Sequence, residues 1–510
     1  MRPKATLDTI SLRKLREKRE ALRGVELFSY SEELRSVMVS PALTCSPTET
    51  VKDAVEKMAG KKTSSIVVIG ENEEPLGIVT DRDIMRRVVV AGRFDIGTTP
   101  VSEVMTGDPL TLTPDDTVYR ALFLLSSRGI KHLPLVEGEG PSGRRLVGIV
   151  TLRQLLKLRY PEPMTLIAGI AGATEVETLA RIRARLPRLA ATRLSRGSRG
   201  YDVVVMLSLV NQDIHRRAFE LALESAGEPP TGCCLFVTGS HGRLETLLVT
   251  DQDYGLVLED SADARLRAEA DEFYAAVAET FTESLEAVGF ERCPGDVMGV
   301  NLLWRKDVAG WKAQLDHWVV DQVPHLGRYL TVFFDAAPIC GRKDLFLEVQ
   351  DRGFELLGMH HELFRILHEE EGGHRVPTGL LGRFITERKG EHRGEFDIKR
   401  SGLIFVVEGV RILALRRGIR ETATLKRIAK LVDGGHLNAD DGEYFEGAFR
   451  FLLHFALDSQ VEEAMENEKI DTYINPSLMS SRNREMLRHA YKAVSKLQDL
   501  IATEFGELVL

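Results

Sequence analysis

LFVTGSHGRLETLLVTDQDYGLVLED, Leu235 to Asp260, is the stretch whose reading decides what the rest of the chain is for. A short apolar run leads into Gly239-Ser240, a small polar turn follows, and Asp251-Gln252-Asp253 opens a second apolar run. Side chains alternate along a strand, so Asp251 and Asp253 share one face with Cα atoms roughly 6.5 Å apart. Two carboxylates so placed can converge on one divalent ion, and such an ion neutralises the charge of a triphosphate. The Gly239-Ser240 turn has no bulky side chain, so its N–H groups and the Ser240 hydroxyl can approach phosphate oxygens. Arg243 offers a planar fork of donors for the same oxygens. The plain alternative, a hairpin with solvated acids at its edge, leaves the coincidence of Gly-Ser, Arg243, Glu245 and the acid pair unexplained.

This pattern, Gly-Ser followed by an Asp-x-Asp strand, resembles the nucleotidyltransferase superfamily signature. More narrowly, GSHGRLET with TDQD resembles the DUF294-type nucleotidyltransferase family, related to protein-PII uridylyltransferase and usually carrying CBS domains. The resemblance implies a Mg²⁺-dependent transfer of a nucleoside monophosphate from an NTP to an acceptor hydroxyl, in PII uridylylation a hydroxyl on a protein. It assigns catalysis and metal binding to Asp251 and Asp253, and phosphate binding to Gly239, Ser240 and Arg243. The superfamily adds a third carboxylate from a later strand; Asp296 and Asp335 both remain candidates.

Two similar units precede this stretch, and internal repeats organise a fold early. Val37 to Val90 and Val101 to Leu158 each show Val-Met, a Pro-containing turn, an amphipathic helix, a β-rich run, then Gly-Ile-Val-Thr and another helix. They resemble two CBS motifs forming one Bateman module, which implies sensing of AMP, ADP or ATP through Thr80, Asp83 and Thr151. A carboxylate accepts both ribose hydroxyls and a helix start offers N–H groups to phosphate. Thr80-x-x-Asp83 is equally a capping box that needs no ligand. The second unit has Gln154 where the family prefers Asp, so one good site is expected, centred on Thr80 and Asp83.

The expected architecture is α+β and multidomain: a helical lead-in at 1–36, the tandem CBS module at 37–160, and a helical linker region at 161–230. A nucleotidyltransferase-type mixed sheet with helices at 231–344 and a C-terminal helical bundle at 345–510 complete it, the last resembling the family's substrate-binding domain. Asp397, Lys399 and Arg411 are the bundle's candidate polar groups, each also readable as a cap or ion pair. Trp304, Trp311 and Trp318 recur every seven residues, as on one side of a core helix.

With 510 residues, 43% hydrophobic and 28% charged, the composition is that of a globular protein of several domains. A net charge of −9 argues against a general nucleic-acid binder. No run reaches the 18 apolar residues of a membrane span, and the N-terminus has no apolar signal region, so a cytoplasmic location is expected. Five cysteines without C-x-x-C spacing suggest neither a disulfide framework nor zinc. Two other functions fit the sequence: a non-catalytic adenine-nucleotide sensor acting through a partner, and, less well given the acidic balance, an RNA-directed nucleotidyltransferase. CBS pairs tend to associate, so a homodimer is expected.

Overall fold

Thr50 and Thr117 each start the first helix of one repeat, their hydroxyls accepting from the N–H groups of Asp53 and Arg120, both at 3.2 Å. Such a cap satisfies a donor that the first helical turn leaves orphaned. The computed structural model describes residues 32–92, 94–138, 144–157, 161–320, 327–371 and 384–506. Most of the lead-in expected at 1–36 lies outside the described residues; Leu34–Ser36 form a single 3₁₀ turn. The chain divides into two units, up to Pro161 and from Glu162 onward.

In the first unit, one repeat runs α1 (Val51–Lys61), β1 (Ser65–Ile69) and β2 (Pro75–Thr80). The other runs α2 (Val118–Ser127), β3 (His132–Glu137) and β4 (Arg145–Thr151). β1 pairs antiparallel with β2, and β3 with β4, in equivalent registers: Ser65 faces Thr80 and His132 faces Thr151. The repeats are interlaced. Val39, which precedes the first repeat's helix, bridges to Ile149 in β4, while Thr106 and Gly107, which precede the second repeat's helix, pair with Ile78 and Gly77 in β2. Val101 and Val104 accordingly pack in one core with Val51, Ala54 and Met58 of α1.

The second unit begins with helices that include α3 (Val176–Arg183) and the long α4 (Gly200–Ala226). Next come β5 (Cys233–Val237), the one-turn α5 (Gly239–Arg243), β6 (Asp251–Gln252), β7 (Tyr254–Leu258) and α6 (Ala264–Val288). Gly289 ends α6 at φ 104°, a left-handed conformation that glycine adopts without a Cβ penalty. After β8 (Glu291–Arg292) come β9 (Arg305–Asp307), α7 (Val308–Val320), β10 (Ala337–Gly341) and α8 (Lys343–Met359). The sheet order is β9-β7-β5-β10, with β9 parallel to β7 and the other pairings antiparallel; β8 lies parallel to β6 beside it. The sheet is therefore mixed, as expected.

Trp304, Trp311 and Trp318 are all buried against one another, with ring centroids 5.9–6.4 Å apart. They form core rather than a stacking surface. Their spacing is not one helix, however: Trp304 sits in the turn before β9, and only the other two ride on α7. Helices dominate the rest, including α9 (Ile404–Arg416), α10 (Ala439–Glu466) and α11 (Ser481–Gly506). Among the described residues no helix is long and apolar enough to cross a membrane.

Candidate active-site cleft

Alternation along β6 and β7 separates two sets of side chains. Gln252 and Tyr254 are fully buried under α6, where Tyr254 Oη lies 2.6 Å from Thr282 Oγ1 and Gln252 Nε2 donates to the carbonyls of Thr282 and Phe290. Asp251 and Asp253 consequently take the opposite face and remain partly accessible. The Thr238 N–H donates to the Asp253 carbonyl at 3.0 Å, which holds the Gly239 turn against the acid pair. Gly239 has φ 57°, and a Cβ there would meet Asp253 Oδ2 at 2.8 Å. Only glycine fits both constraints. Ser240 Oγ sits 3.5 Å from Thr250 Oγ1, at the mouth of the same turn.

Burial pushes the Asp251 carboxyl up, opposed by the Lys399 ammonium and reinforced by Glu291. Burial also pushes up Asp253; the Cys293 thiol that donates to it and the Lys399 charge oppose the rise, and neighbouring Asp251 adds to it. The thiol itself is pushed up to about 12, first by burial and then by Asp253. Neither aspartate forms an ion pair among the described residues. Their ionised forms are therefore expensive, which is what a bound cation relieves.

Arg243 is engaged within the protein. Its Nε donates to Glu245 at 2.8 Å and its Nη1 to Asp335 at 2.6 Å, so both of those donors serve internal ion pairs rather than a phosphate. Asp335, one of the two candidate third acids, is fully buried and also receives Nη1 of Arg411 at 2.7 Å and of Arg427 at 2.6 Å. Burial alone would raise its carboxyl; the guanidiniums of Arg411, Arg427 and Arg243 hold it well below the usual range instead. With both oxygens committed, Asp335 is no metal ligand. Asp296, the other candidate, is exposed on the turn after Cys293 and accepts from Asn301 Nδ2 at 3.0 Å. Among the described residues no three His, Cys, Asp or Glu side chains form a ready metal site.

The Asp335 cluster locks the C-terminal helices onto the sheet. Glu245 Oε1 accepts from the Thr424 N–H at 2.7 Å, Thr422 Oγ1 donates to the Gly242 carbonyl at 2.8 Å, and Gln460 Oε1 accepts from the Leu248 N–H at 2.9 Å. Between the two layers lies a narrow cleft of about 40 Å³, bordered by Ser240, Arg243, Lys399, Val407 and Phe449. Lys399 starts a π-type turn, Lys399–Leu403, a wide helical form common at functional sites. It is exposed and reaches no ion-pair partner among the described residues. Of the other polar candidates in this region, Asp397 caps that turn through the N–H groups of Lys399 and Arg400, and Arg411 belongs to the Asp335 cluster. Cys293, Glu291 and the placement of Lys399 escaped the sequence reading; the Cys-Pro-Gly turn was the one local signal for the first.

In the first unit, Thr80 Oγ1 donates to Asp83 Oδ2 at 2.7 Å and accepts from the Asp83 N–H at 3.3 Å, a complete capping box. Thr151 and Gln154 repeat it, at 2.9 and 3.2 Å. Ser64 and His132, each beside one box, hydrogen-bond at 2.9 Å and bring the two helix starts to a common seam. Asp83 Oδ1 is 3.4 Å from Arg87 Nη2.

Residues 34–90 and 101–160 match the CBS domain, residues 184–325 match a family described as "Putative nucleotidyltransferase DUF294", and residues 361–505 match "Putative nucleotidyltransferase substrate binding domain". An uncharacterized protein of Methanopyrus kandleri is 33% identical over 130 residues, 24% of this chain and 64% of that protein. The mitochondrial CBS domain-containing protein CBSX3 of Arabidopsis thaliana is 35% identical over 134 residues, 26% of this chain and 64% of its own. The chain thus spans 64% of the length of each of these curated relatives. Among solved structures, an uncharacterized conserved protein from Pyrococcus horikoshii is 29% identical with a TM-score of 0.23, covering 26% of this chain and 93% of its own.

Proposed function

The chain belongs to the CBS-domain-containing DUF294 family of nucleotidyltransferase-like proteins, and from that premise we propose that it transfers a nucleoside monophosphate from an NTP to an acceptor hydroxyl. The observation that carries this reading is Gly239, left-handed and Cβ-less, pressed against Asp253 beside Asp251. Two carboxylates on one face, desolvated and without an ion pair among the described residues, are a donor set suited to a hard divalent cation. Mg²⁺ held by Asp251 and Asp253 would supply charge neutralisation for the triphosphate.

The chain's own groups do the rest. The Gly239 and Ser240 N–H groups and the Ser240 hydroxyl bind phosphate oxygens, and Lys399 adds a positive charge from the opposite wall of the cleft. The acceptor oxygen bonds to the α-phosphorus, the bond from that phosphorus to the α,β-bridging oxygen breaks, pyrophosphate leaves, and the hydroxyl proton is released. The acceptor class we infer is a protein hydroxyl, as in the PII uridylylation that the family resembles. In the CBS repeats, Asp83 accepts the ribose hydroxyls of an adenine nucleotide, and a homodimer through those repeats is the assembly we expect.

Thermal melts with each NTP, with and without Mg²⁺, test the core of this reading, because a ligand that binds only the native state raises its apparent stability. Wild type should show a Mg²⁺-dependent shift that Asp251→Asn with Asp253→Asn abolishes. An unchanged shift in that double variant refutes the assignment. A second reading is a nucleotide sensor without transfer activity, carried by the two capping-box helix starts that the Ser64–His132 bond joins in the CBS repeats. That reading prevails if the biological effect survives the double Asn variant and disappears in Asp83→Ala.

A further inference from the structure

Behind the cleft lies a second, larger cavity of about 180 Å³, many times the ~10–15 Å³ that one water needs. The loop Leu247–Thr250, which delivers the chain to Asp251, is the partition between the two, and Leu247 and Val249 line both. Leu186, Pro187, Leu207 and Ile470 give the second cavity apolar walls.

Among the polar residues that line it are Asn211, Arg183 and Glu291. Asn211 is 2% exposed; its Nδ2 donates to Thr246 Oγ1 at 3.3 Å, while its Oδ1 has no hydrogen-bond partner among the described residues. A buried acceptor left so is costly unless something donates to it. Arg183 ends α3 with its guanidinium carbon 4.0 Å from the centroid of Phe290. It donates to the Gly289 carbonyl at 2.7 Å and more weakly to that of Leu248 at 3.5 Å. Burial lowers its pKa to about 10, so it stays charged at neutral pH, yet it forms no ion pair among the described residues. Glu291 lines the same cavity and acts on Arg183 through its charge without pairing with it.

A cation without an ion pair among the described residues and a separate carboxylate on the rim of an apolar hollow match a small zwitterion. We infer that this cavity binds a free α-amino acid. Its carboxylate meets Arg183, its ammonium donates to Glu291, and its side chain packs on Leu186, Leu207 and Ile470. A simple anion would meet Glu291 repulsively, and a simple amine would meet Arg183 so; the two-charge ligand satisfies both. Because Leu247 and Val249 line both spaces, occupancy also stiffens the segment that positions Asp251.

The test is made on the full chain, by thermal melts and isothermal titration with a panel of L-amino acids. Each is matched with the amine lacking its carboxylate and the acid lacking its ammonium. The expected result is stabilisation by one or more amino acids at one site per chain, without a response to either matched analogue. Arg183→Met should weaken binding at least tenfold and Arg183→Lys by less. Leu207→Phe, which fills the cavity and keeps every polar group, should abolish binding while the protein still melts cooperatively. Hydrogen exchange over Leu247–Asp253 should slow on binding, a readout that needs no nucleotidyl transfer. The inference is overturned if no amino acid binds, if the amines or acids bind as well as the amino acids, or if binding survives in both Arg183→Met and Leu207→Phe.

Discussion

Replacing Asp335 by Asn removes one charge from an acceptor shared by Arg243, Arg411 and Arg427, whose bonds to it measure 2.6–2.7 Å. Asp335 is fully buried and Arg427 is 1% exposed, so water cannot take the carboxylate's place. Surface pairs contribute roughly 0–1 kcal/mol, but stranding a buried charge by removing its partner costs about 3–5 kcal/mol. Arg243 keeps its pair with Glu245, but Arg427 loses its carboxylate partner where burial already lowers its pKa. A loss of at least ~3 kcal/mol is expected, a shift of ~1 M in the urea midpoint if the slope is ~3 kcal/mol/M. Tryptophan fluorescence is the assay, because all three tryptophans lie in the sheet-bearing unit and none in the CBS repeats. Asp296→Asn, an exposed control, should stay within ~0.5 kcal/mol. Asp335's folded pKa is depressed, so its contribution is complete above the unfolded value of ~3.9 and is lost only as pH falls through the lower folded value. The gap between wild type and variant should therefore be constant from neutral to mildly acid pH and close in strong acid. A loss below ~1 kcal/mol would refute the account of Asp335 as the buried anchor of this cluster.

The acid pair behaves in the opposite sense. The folded pKa values of Asp251 and Asp253 are raised, so their contribution is present below ~3.9 and is lost as pH rises through the folded values. In EDTA, wild type should lose melting temperature over that range while Asp253→Asn loses less; parallel curves would count against the reading. Gly239→Ala combines φ 57° with a 2.8 Å approach to Asp253 and should cost ~1–3 kcal/mol and the NTP shift, read by thermal melts; an unperturbed NTP response would contradict it. Lys399→Met, at an exposed position, should leave stability within ~0.5 kcal/mol and weaken NTP binding in titrations, and equal affinity would remove Lys399 from the phosphate site. Asp83→Ala should cost ~1 kcal/mol through the broken capping box and also erase stabilisation by AMP; a surviving AMP response would place that ligand elsewhere.

The repeats were legible because each hydrophobic run, helix cap and Gly-Ile-Val-Thr strand end is local, and local signals accumulate within a short window. The acid pair and its glycine were legible for the same reason, since alternation fixes which face Asp251 and Asp253 take. The ion pairs of Arg243 were not legible because a guanidinium near a phosphate-type turn and one near a buried carboxylate look identical in sequence; the partner, Asp335, is 92 residues away. Asp335 itself looked like a ligand because it ends a buried strand-like run, and nothing near it announces Arg411 and Arg427. Lys399 reaches the cleft only because the C-terminal helices fold back onto the sheet, a placement set by long-range packing. The cavity beside Asn211 has no sequence signal at all, because an empty volume is a property of how α3, α4 and the loop before Asp251 meet.

The crossing of short segments between the repeats has a consequence for how the first unit is made. Val39 waits for Ile149, and the half built around α1 lacks Val101, Val104 and Thr106–Gly107 until the ribosome has moved well beyond β2. Neither half can therefore close its core as an autonomous piece, and a gene fragment encoding one repeat should yield an aggregation-prone chain rather than a smaller sensor.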